Sequence, residues 1–251
     1  MSGHSKWSTI KRKKGAADAK RGQLFTRLAR EIAITAREGG GDLDSNFKLR
    51  LSVDRARKVN MPKDNIERAI KRGTGEDKSG GEIERMTYEG YASNGIAVMI
   101  DCLTENRNRT VAEIRHILTH GGGNMAEVGS VSWQFRHVAY FAIDAAGKDF
   151  DKIFELAVEG GADDITSDEE TIEIFAPVEA FKTLSDQLKS AGIEAEEADL
   201  QYLPNQEISL ETDKTLKIMR IIEELEELDD VQSVFSNLNI SENALKELEV
   251  A

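Results

Sequence analysis

Apolar residues recur at the spacing of an amphipathic helix through the first part of the chain. In QLFTRLAREIAITAREGGG one face of a helix is apolar, and three glycines end the pattern. That face consists of Phe25, Leu28, Ala29, Ile32 and Ala36. A second helix is predicted from Ser45 to Lys58, and a third in NMPKDNIERAIKRG, where Pro62 suits the first turn and Gly73 follows as the stop. The pattern predicts three helices in this part of the chain.

Residues 82 to 251 alternate between strand and helix patterns. MTYEGYA and GIAVMIDCLT are rich in β-forming residues, and the Asn94-Gly95 turn between them predicts an antiparallel hairpin. A helix in NRNRTVAEIRHILTHGGG and a strand in GSVSWQF follow. The next six elements have the βαββαβ order of a ferredoxin-like domain, and they are HVAYFAID, DFDKIFELAVEGG, DDITSD, TIEIFAP, VEAFKTLSDQLKSAG and EAEEADLQYLP.

The end of the chain supplies half of another such unit. This C-terminal half consists of strand EISLE, helix DKTLKIMRIIEELEEL and strand VQSVFSN. The other half lies upstream, in GIAVMIDCLT, the helix after it and GSVSWQF, and the two halves together make a second βαββαβ unit. The sequence therefore predicts an α+β protein with an N-terminal all-α three-helix domain and two ferredoxin-like domains, one inserted into the other. The predicted domains are residues 1–75, residues 82–136 with 204–251, and residues 137–203, with a flexible linker in GTGEDKSGG.

Charge divides the chain as sharply as the apolar pattern does. The net charge of the 251 residues is −13, yet residues 1–72 hold 19 Lys and Arg against 8 Asp and Glu, a net of +11. A basic module attracts polyanions, whereas an acidic body suppresses indiscriminate binding to them. The two parts are therefore predicted to have different partners.

Neither a membrane segment nor a disulfide framework is predicted. Uninterrupted apolar runs, such as Ile96 to Ile100, are far too short to span a bilayer, and the basic N-terminus lacks the apolar segment of a signal peptide. The single cysteine, Cys102, follows that run in a strand pattern and is interpreted as a core residue. We therefore expect a cytoplasmic protein without membrane contact.

The residues ahead of the first clear helix carry the strongest signal for nucleic-acid binding. This basic arm has almost no apolar residues to fold around, so its mutually repelling cations gain nothing structurally. The alternative is a solvated tail, but phosphate contacts need such cations, and an aromatic ring can stack on a base or wedge between bases. Together with two arginines of the second helix, the predicted contact residues are Lys6, Trp7, Lys11, Arg12, Lys13, Lys14, Lys20, Arg21, Arg50 and Arg55.

Two further arginines lie at the start of a predicted helix in the acidic part of the chain. In ENRNRT, Asn108 suits a helix cap, and Arg107 and Arg109 stand at the positive end of the helix dipole. Cations are unfavourable at that end unless an anion is near. Either they pair with Glu105 or Glu113, or they contact an external anion such as an RNA phosphate.

The patterns that suggest catalysis each lack a necessary part. HGGGNMAEVGS has no Lys-Ser or Lys-Thr ending of a phosphate loop, and His116 and His120 have no Glu between them and no third ligand. The acids of TSDEE, EAEEAD and EELEELDD are interpreted as solvated faces. No metal, cofactor or catalytic residue is therefore predicted. The alternative to a non-catalytic function is a metal-dependent nucleic-acid-processing enzyme, whose metal site would have to come from these acidic runs.

Several of these motifs together resemble one known family. GHSKW with IKRKK, LAREI, NMPKDNIERAIKRG, YEGYASNG, NRNRT and GSVSWQF run from Gly3 to Phe135 and are similar to motifs of the YebC/PmpR family. The resemblance implies one helical and two ferredoxin-like domains. The bacterial members of this family are described as probable DNA-binding transcriptional regulators. A mitochondrial translational activator of cytochrome c oxidase subunit I and newer views of the bacterial members point to ribosome-associated translation factors. One departure is Phe47, where many relatives have Pro, and it leaves the start of the second helix open.

We therefore expect a non-catalytic, nucleic-acid-binding regulator of gene expression. Its partner is DNA, or ribosomal or transfer RNA on the ribosome, because phosphate contacts look alike on both nucleic acids. A second basic site at Arg107 and Arg109, and the lack of a helix-turn-helix spacing, favour RNA. These patterns do not determine the oligomeric state.

Overall fold

The chain forms two compact units in a computed structural model that describes residue 7, residues 18–77 and residues 81–250. The first unit runs to Ser132 and resumes at Glu207, and the second spans Trp133–Gln206. The division into three domains at residues 75, 136 and 204 remains a prediction from the sequence.

Helices and strands both occur in each unit. In chain order, the helices of the described residues are α1 (Asp18–Gly39), α2 (Phe47–Lys58), α3 (Lys63–Thr74), α4 (Arg107–His120), α5 (Phe150–Glu159), α6 (Phe181–Ser190), α7 (Thr212–Glu226) and α8 (Glu242–Val250). The strands are β1 (Glu84–Tyr91), β2 (Ala97–Thr104), β3 (Asn124–Met125), β4 (Phe135–Asp144), β5 (Asp164–Ser167), β6 (Thr171–Pro177), β7 (Glu197–Pro204), β8 (Ile208–Ser209), β9 (Val231–Ser236) and β10 (Leu238–Asn239).

Helices α1, α2 and α3 pack around an apolar core of their own. The apolar faces predicted from helical spacing supply this core, because residues three and four apart share one face of a helix. Its buried members are Leu28, Ile32, Ala36, Leu49, Val53, Ala56, Met61, Ile66 and Ala69.

A buried asparagine fixes the start of α2. The side-chain oxygen of Asn46 accepts a hydrogen bond from the Leu49 N–H at 3.0 Å, and its amide nitrogen donates to the carbonyls of Thr35 and Gly40, each at 2.8 Å. The helix therefore begins at Phe47. That is the first helical position, which also suits proline, so the departure from many relatives does not move the helix start.

The third helix continues one residue past the predicted stop at Gly73. Gly73 approaches α1 so closely that a Cβ atom would lie 2.2 Å from the carbonyl oxygen of Ala33. The residue that ends the helix in the left-handed conformation is Gly75, with φ of 80°. The prediction of Gly73 as the stop is wrong because this glycine serves helix packing.

Helix α1 is buried on two sides. All five residues from Ile32 to Ala36 are buried, and Ala33 and Ile34 belong to a second cluster with Ile83 and Leu103 of the α/β part. A helix that is apolar nearly all round must be covered nearly all round. Helix α1 therefore joins the helical core to the α/β part of the first unit.

The first unit has a four-stranded antiparallel sheet in the order β3-β1-β2-β9. The predicted hairpin of β1 and β2 is confirmed, with Glu84 opposite Thr104 and Tyr91 opposite Ala97. Strand β1 takes the place that a ferredoxin-like unit gives its third strand. EISLE was predicted to fill that place. Instead β8 forms a two-residue parallel pair with β10, because its place in the sheet is occupied.

The segment GSVSWQF is a turn, where a strand was predicted. A 3-10 turn covers Ser132–Gln134, and the strand begins at Phe135. The buried Glu89 carboxylate accepts hydrogen bonds from the N–H groups of Gly129, Val131 and Ser132. Burial alone would raise the pKa of Glu89, but these bonds hold it below its ordinary value. A charged carboxylate thus replaces the strand partner that these N–H groups would need.

The second unit has the predicted βαββαβ order. Its antiparallel sheet runs β5-β6-β4-β7, with the first and third strands of the unit in the centre. The rings of Phe141 on β4 and Phe181 on α6 stack with centroids 4.9 Å apart. Ile153 and Ala157 of α5 are also buried.

These arrangements confirm the predicted fold class, with N-terminal helices and two ferredoxin-like sheets, one inserted within the other. Within the described ranges, none of the helices combines the length and apolar character that crossing a membrane requires.

Candidate nucleic-acid interface

A buried carboxylate joins the helices to the α/β part of the first unit. The side chain of Asp230, just before β9, is 1% exposed. Arg109 Nη2 donates to its two oxygens at 2.9 and 2.7 Å, and the hydroxyls of Thr110 and Thr104 donate at 2.7 and 3.2 Å. Arg30 of α1 brings Nη1 within 3.2 Å of Oδ1. We call these five residues the Asp230 cluster.

The start of α4 positions two members of this cluster. The helix cap is Asn106, where Asn108 was predicted, and its side-chain oxygen accepts a hydrogen bond from the Arg109 N–H at 3.1 Å. The first turn then brings Arg109 and Thr110 to the carboxylate of Asp230. A negative charge at this end of a helix is favourable because the backbone N–H groups there carry partial positive charge.

Two opposing effects set the pKa of Asp230. Burial alone would raise it, because a charged carboxylate loses its hydration. Hydrogen bonds from Arg109 and Thr110, together with the charge of Arg30, outweigh burial and hold the pKa below its ordinary value. Asp230 is therefore a charged group at neutral pH, and it binds the guanidinium groups of Arg109 and Arg30.

A second ion pair lies where the helices meet the α/β part. Arg72, near the end of α3, donates through Nη2 to Glu105 at 2.7 Å and to the Gly81 carbonyl at 3.0 Å. Arg37 pairs with Glu82 at 3.0 Å. Residues 78–80 of the predicted linker lie outside the described residues, but the described residues after them are held to the helices.

One face of α1 meets the acidic segment after α7. The side-chain amide of Gln23 donates to the Glu227 carbonyl at 3.4 Å, and Arg30 donates to the Asp229 carbonyl. Burial lowers the pKa of Arg27, whereas the charges of Asp229 and Glu227 raise it. The sequence interpretation of EELEELDD as a solvated face is therefore wrong for its last residue, which is the buried acid of the Asp230 cluster.

Half of the predicted contact residues fall where no side chain is described. Lys6, Lys11, Arg12, Lys13 and Lys14 lie outside the described residues. Lys20 belongs to α1, but only its backbone is among the described parts of the chain. Arg21 is exposed near the start of the same helix.

Trp7 lies in the core of the first unit. Its side chain is 5% exposed and belongs to the apolar cluster that includes Ile114 of α4 and Ile218 of α7. In this conformation the indole is not available to stack on a base. Burial of a large aromatic ring contributes about 2–3 kcal/mol to folding, which gives Trp7 a structural role.

The two predicted contact residues on α2 differ in their surroundings. Arg55 is bound to Glu31 at 3.0 Å, and that carboxylate also accepts a hydrogen bond from Ser52 at 2.9 Å. The guanidinium of Arg50 lies over the ring of Phe47, 5.6 Å from its centroid. Arg55 therefore serves to hold α2 against α1.

Arg107 and Arg109 both have internal partners that differ from the predicted ones. Arg107 pairs with Glu84, and Arg109 pairs with Asp230. Glu105, a predicted partner, is instead bound to Arg72. The anion that the start of α4 was expected to need is thus supplied by the protein itself.

Other cations of the helical part stay exposed. Arg57 pairs with Asp54 at 3.1 Å and Lys63 with Glu67 at 3.4 Å, but such exposed pairs contribute little and are easily exchanged. The exposed lysines and arginines on α2 and α3 are Lys48, Arg57, Lys58, Lys63, Arg68 and Lys71. None of these six residues is among the predicted contact residues, although the charge count of residues 1–72 includes them.

The described residues hold no group of three or more His, Cys, Asp or Glu side chains arranged for a metal ion. His116 and His120 are exposed, and their rings stack with centroids 6.0 Å apart. Cys102 is fully buried, and burial raises the pKa of its thiol well above the ordinary value. A buried neutral thiol has low reactivity, which agrees with the interpretation of Cys102 as a core residue.

Two models of one protein family match the chain. The model of the TACO1/YebC protein N-terminal domain matches residues 5–76, and that of the TACO1/YebC second and third domain matches residues 83–238. A probable transcriptional regulatory protein of Cupriavidus necator is 49% identical over 243 residues, which are 96% of this chain and 100% of the relative. One from Geotalea uraniireducens is 46% identical over 248 residues, 99% of this chain and 100% of that protein.

A solved structure has the same fold. The crystal structure of a conserved hypothetical protein from Aquifex aeolicus matches with a TM-score of 0.82 and 39% sequence identity. The match covers 90% of this chain and 93% of that chain.

Proposed function

Because the chain belongs to the TACO1/YebC family, we propose that it is a non-catalytic, nucleic-acid-binding regulator of gene expression. Relatives over nearly its whole length carry the name of probable transcriptional regulatory proteins. Regulation through a nucleic acid needs a surface that binds phosphates, and the helical part has the required excess of positive charge. We further propose that the protein acts in the cytoplasm.

The observation that carries this proposal is the division of cations in the first unit. Carboxylates hold Arg109, Arg72 and Arg55. Arg72 joins α3 to the α/β part, Arg55 holds α2 against α1, and Arg109 is bound within the α/β part. Lysines and arginines on α2 and α3 remain exposed, among them Lys48, Arg68 and Lys71. We assign phosphate contacts to these exposed residues and to the basic arm, and a mainly structural role to the paired arginines.

The proposed mechanism is electrostatic. Each lysine or arginine that meets a phosphate releases a condensed counterion, which favours binding most at low salt. The paired arginines act indirectly, because Arg55 holds α2 against α1 and Arg72 holds α3 to the α/β part. Contacts of this kind position the protein without reading bases, so the target is specified by its shape or by another partner.

DNA and structured RNA remain the two forms of this proposal. The names of the relatives favour transcription and hence DNA. In the helical part, exposed cations lie on both α2 and α3, which suits an irregular phosphate surface such as folded RNA. We retain both, with ribosomal or transfer RNA as the RNA form and the ribosome as its setting.

The salt dependence of binding tests the phosphate contacts. Replacement of Lys11, Arg12, Lys13 and Lys14 by Ala should lower the slope of log K against log salt by about 3–4, since each lost contact removes about 0.9. Fluorescence anisotropy with labelled duplex DNA and labelled structured RNA measures this slope. Replacement of Arg68 and Lys71 by Ala should lower it by about 1–2.

A matched control removes four lysines elsewhere. Lys148, Lys152, Lys182 and Lys189 are exposed in the acidic second unit, and their replacement by Ala should leave the slope unchanged. If both sets of four substitutions change the slope equally, the effect is one of net charge and the proposed surface is wrong.

Crosslinking in growing cells separates the two nucleic acids. Ultraviolet crosslinking followed by sequencing of the joined DNA and RNA should give either discrete promoter DNA or mainly ribosomal and transfer RNA. Loss of that signal in the variant at residues 11–14 is expected in either case. Recovery of neither nucleic acid would contradict the proposal.

A further inference from the structure

The second unit exposes a row of large apolar side chains on one helix. Phe150, Phe154 and Val158 of α5 are 38%, 47% and 55% exposed. They are four residues apart, and the rings of Phe150 and Phe154 lie with centroids 6.1 Å from each other. We call these three residues the apolar stripe. It extends along about two turns, or roughly 12 Å, of the helix.

This stripe differs from the scattered apolar residues that any surface contains. In the described residues, the large apolar side chains that are exposed are Leu24, Val128, Trp133 and the three of the stripe. Half of them therefore fall on one helix. Single exposed apolar residues need no explanation, whereas contiguous ones mark surfaces that bind a partner.

An acidic stripe runs beside the apolar one. Asp151, Glu155 and Glu159 are exposed, and each follows a residue of the apolar stripe by one position, or about 100° around the helix. The whole second unit holds 17 Asp and Glu against 5 Lys and Arg. A partner that covers the apolar stripe is therefore also in contact with a strongly negative surface.

We propose that the two stripes form a docking surface for a basic, amphipathic segment of another protein. Apolar residues of that segment would cover Phe154 and Val158, and its lysines or arginines would lie against Glu155 and Glu159. An acidic or neutral segment would leave these carboxylates partly desolvated and without cations, so charge selects the partner. Two helical turns provide a small interface, which predicts a weak and transient complex.

This inference does not depend on nucleic-acid binding by the helical part. A protein that recruits or responds to a basic partner on one unit can do so whether the other unit binds DNA, RNA or neither. The surface adds a protein-binding activity to the proposed regulator, and its failure would leave the phosphate contacts untouched.

Three synthetic helical peptides test the proposal on the full-length protein at about 0.15 M salt, where the Debye length is about 8 Å. The first has Leu at positions i and i+4 flanked by Lys. The second keeps Leu but replaces Lys by Glu, and the third keeps Lys but replaces Leu by Ser. Only the first should bind measurably in a fluorescence anisotropy titration.

Substitutions in the protein locate the site. Phe154→Ser with Val158→Ser should weaken binding of the first peptide about tenfold or more, and so should Glu155→Lys with Glu159→Lys. The matched control is Glu169→Lys with Glu170→Lys, which makes the same change of charge at exposed positions before β6. That control should stay within about twofold of the unaltered protein.

Three outcomes would overturn the proposal. Equal loss in the control at Glu169 and Glu170 would mean diffuse charge attraction, and equal binding of the acidic peptide would mean unspecific apolar adhesion. Light scattering that finds a dimer, converted to a monomer by the substitutions at Phe154 and Val158, would identify a second copy of the chain as the occupant.

Discussion

Each of the two compact units contains a four-stranded antiparallel sheet packed with helices, but the units differ in how positive and negative residues are balanced. Residues 133–206, the second unit, hold 5 Lys and Arg against 17 Asp and Glu, which accounts for −12 of the net charge of −13. The rest of the chain holds 28 against 29 and is nearly neutral. In the first unit, basic helices and an acidic α/β part are joined by ion pairs such as Arg30 with Asp230 and Arg72 with Glu105.

This difference shows that charge segregation along a sequence can serve assembly as well as binding. Some of the opposite charges of the first unit pair with each other where the helices meet the α/β part. The same junction also contains apolar contacts, among them Ile34 and Leu103. The second unit has too few cations to neutralise its own acids. Its charge therefore remains available to an external partner, as does the apolar stripe on α5.

The largest effect is expected from breaking the Asp230 cluster. Asp230→Asn removes the charge that Arg109 and Arg30 share and should lower the free energy of unfolding of the first unit by about 2–4 kcal/mol. This is somewhat below the value for a fully buried pair, because the Arg109 side chain is 49% exposed. Urea unfolding, followed by the fluorescence of Trp7 in a Trp133→Phe background, measures it.

Asp230 also makes the stability of the first unit depend on pH. The pKa of Asp230 is lowered in the folded state, so its stabilising contribution is present above the unfolded value of about 3.9 and is lost as pH falls through the folded value. The difference between the parent and Asp230→Asn should therefore shrink below about pH 4. Asp229→Asn is the control and should cost less than about 1 kcal/mol. A difference that does not depend on pH would show that the charge of Asp230 is not stabilising.

Packing of the helical part gives the next largest effect. Gly73→Ala should destabilise the first unit by about 1–3 kcal/mol, because the added Cβ would overlap the Ala33 carbonyl oxygen and push α3 from α1. The control is Gly22→Ala in α1, where nothing lies within 4 Å of the added Cβ. It should be neutral or stabilise the helix by up to about 1 kcal/mol. Thermal unfolding compares the two, and equal effects would contradict close packing at Gly73.

The smallest expected effect is that of salt on the stability of each unit, which tests the difference in charge between them. Raising NaCl from about 0.02 to 0.5 M should stabilise the second unit and slightly destabilise the first, each by less than about 1 kcal/mol. Salt screens the mutual repulsion of acids in one and the ion pairs in the other. Hydrogen exchange of amides in β4 and β6, compared with β2 and β9, reports the two units separately. Shifts of the same sign in both would remove the contrast.

Much of the fold could be predicted from the sequence because its signals are local. The stripes of Leu28 and Ile32 on α1 and of Ile66 on α3 recur at helical spacing, and the predicted hairpin follows from the Asn94-Gly95 turn. The six elements of the second unit appear in the predicted order. The strand assigned to EISLE failed because strand patterns do not say which neighbour a strand pairs with.

The candidate site was predicted less well, because partners far apart in the chain decide it. The basic character of residues 1–72 is a property of composition and needs no structure. Which arginines are used internally depends on where α1 and α4 meet the segment before β9. Arg30 and Asp230 are 200 positions apart, and no spacing rule connects them.

By itself, the sequence determined the helical faces, the alternation of strands and helices and the separation of positive from negative charge. These follow from local periodicity and from residue counts. The tertiary structure alone decided that Trp7 and Asp230 are buried, that Gly73 is a packing residue, and that Phe154 and Val158 remain exposed. Burial is a property of all surrounding segments together, so a pattern within one helix cannot establish it.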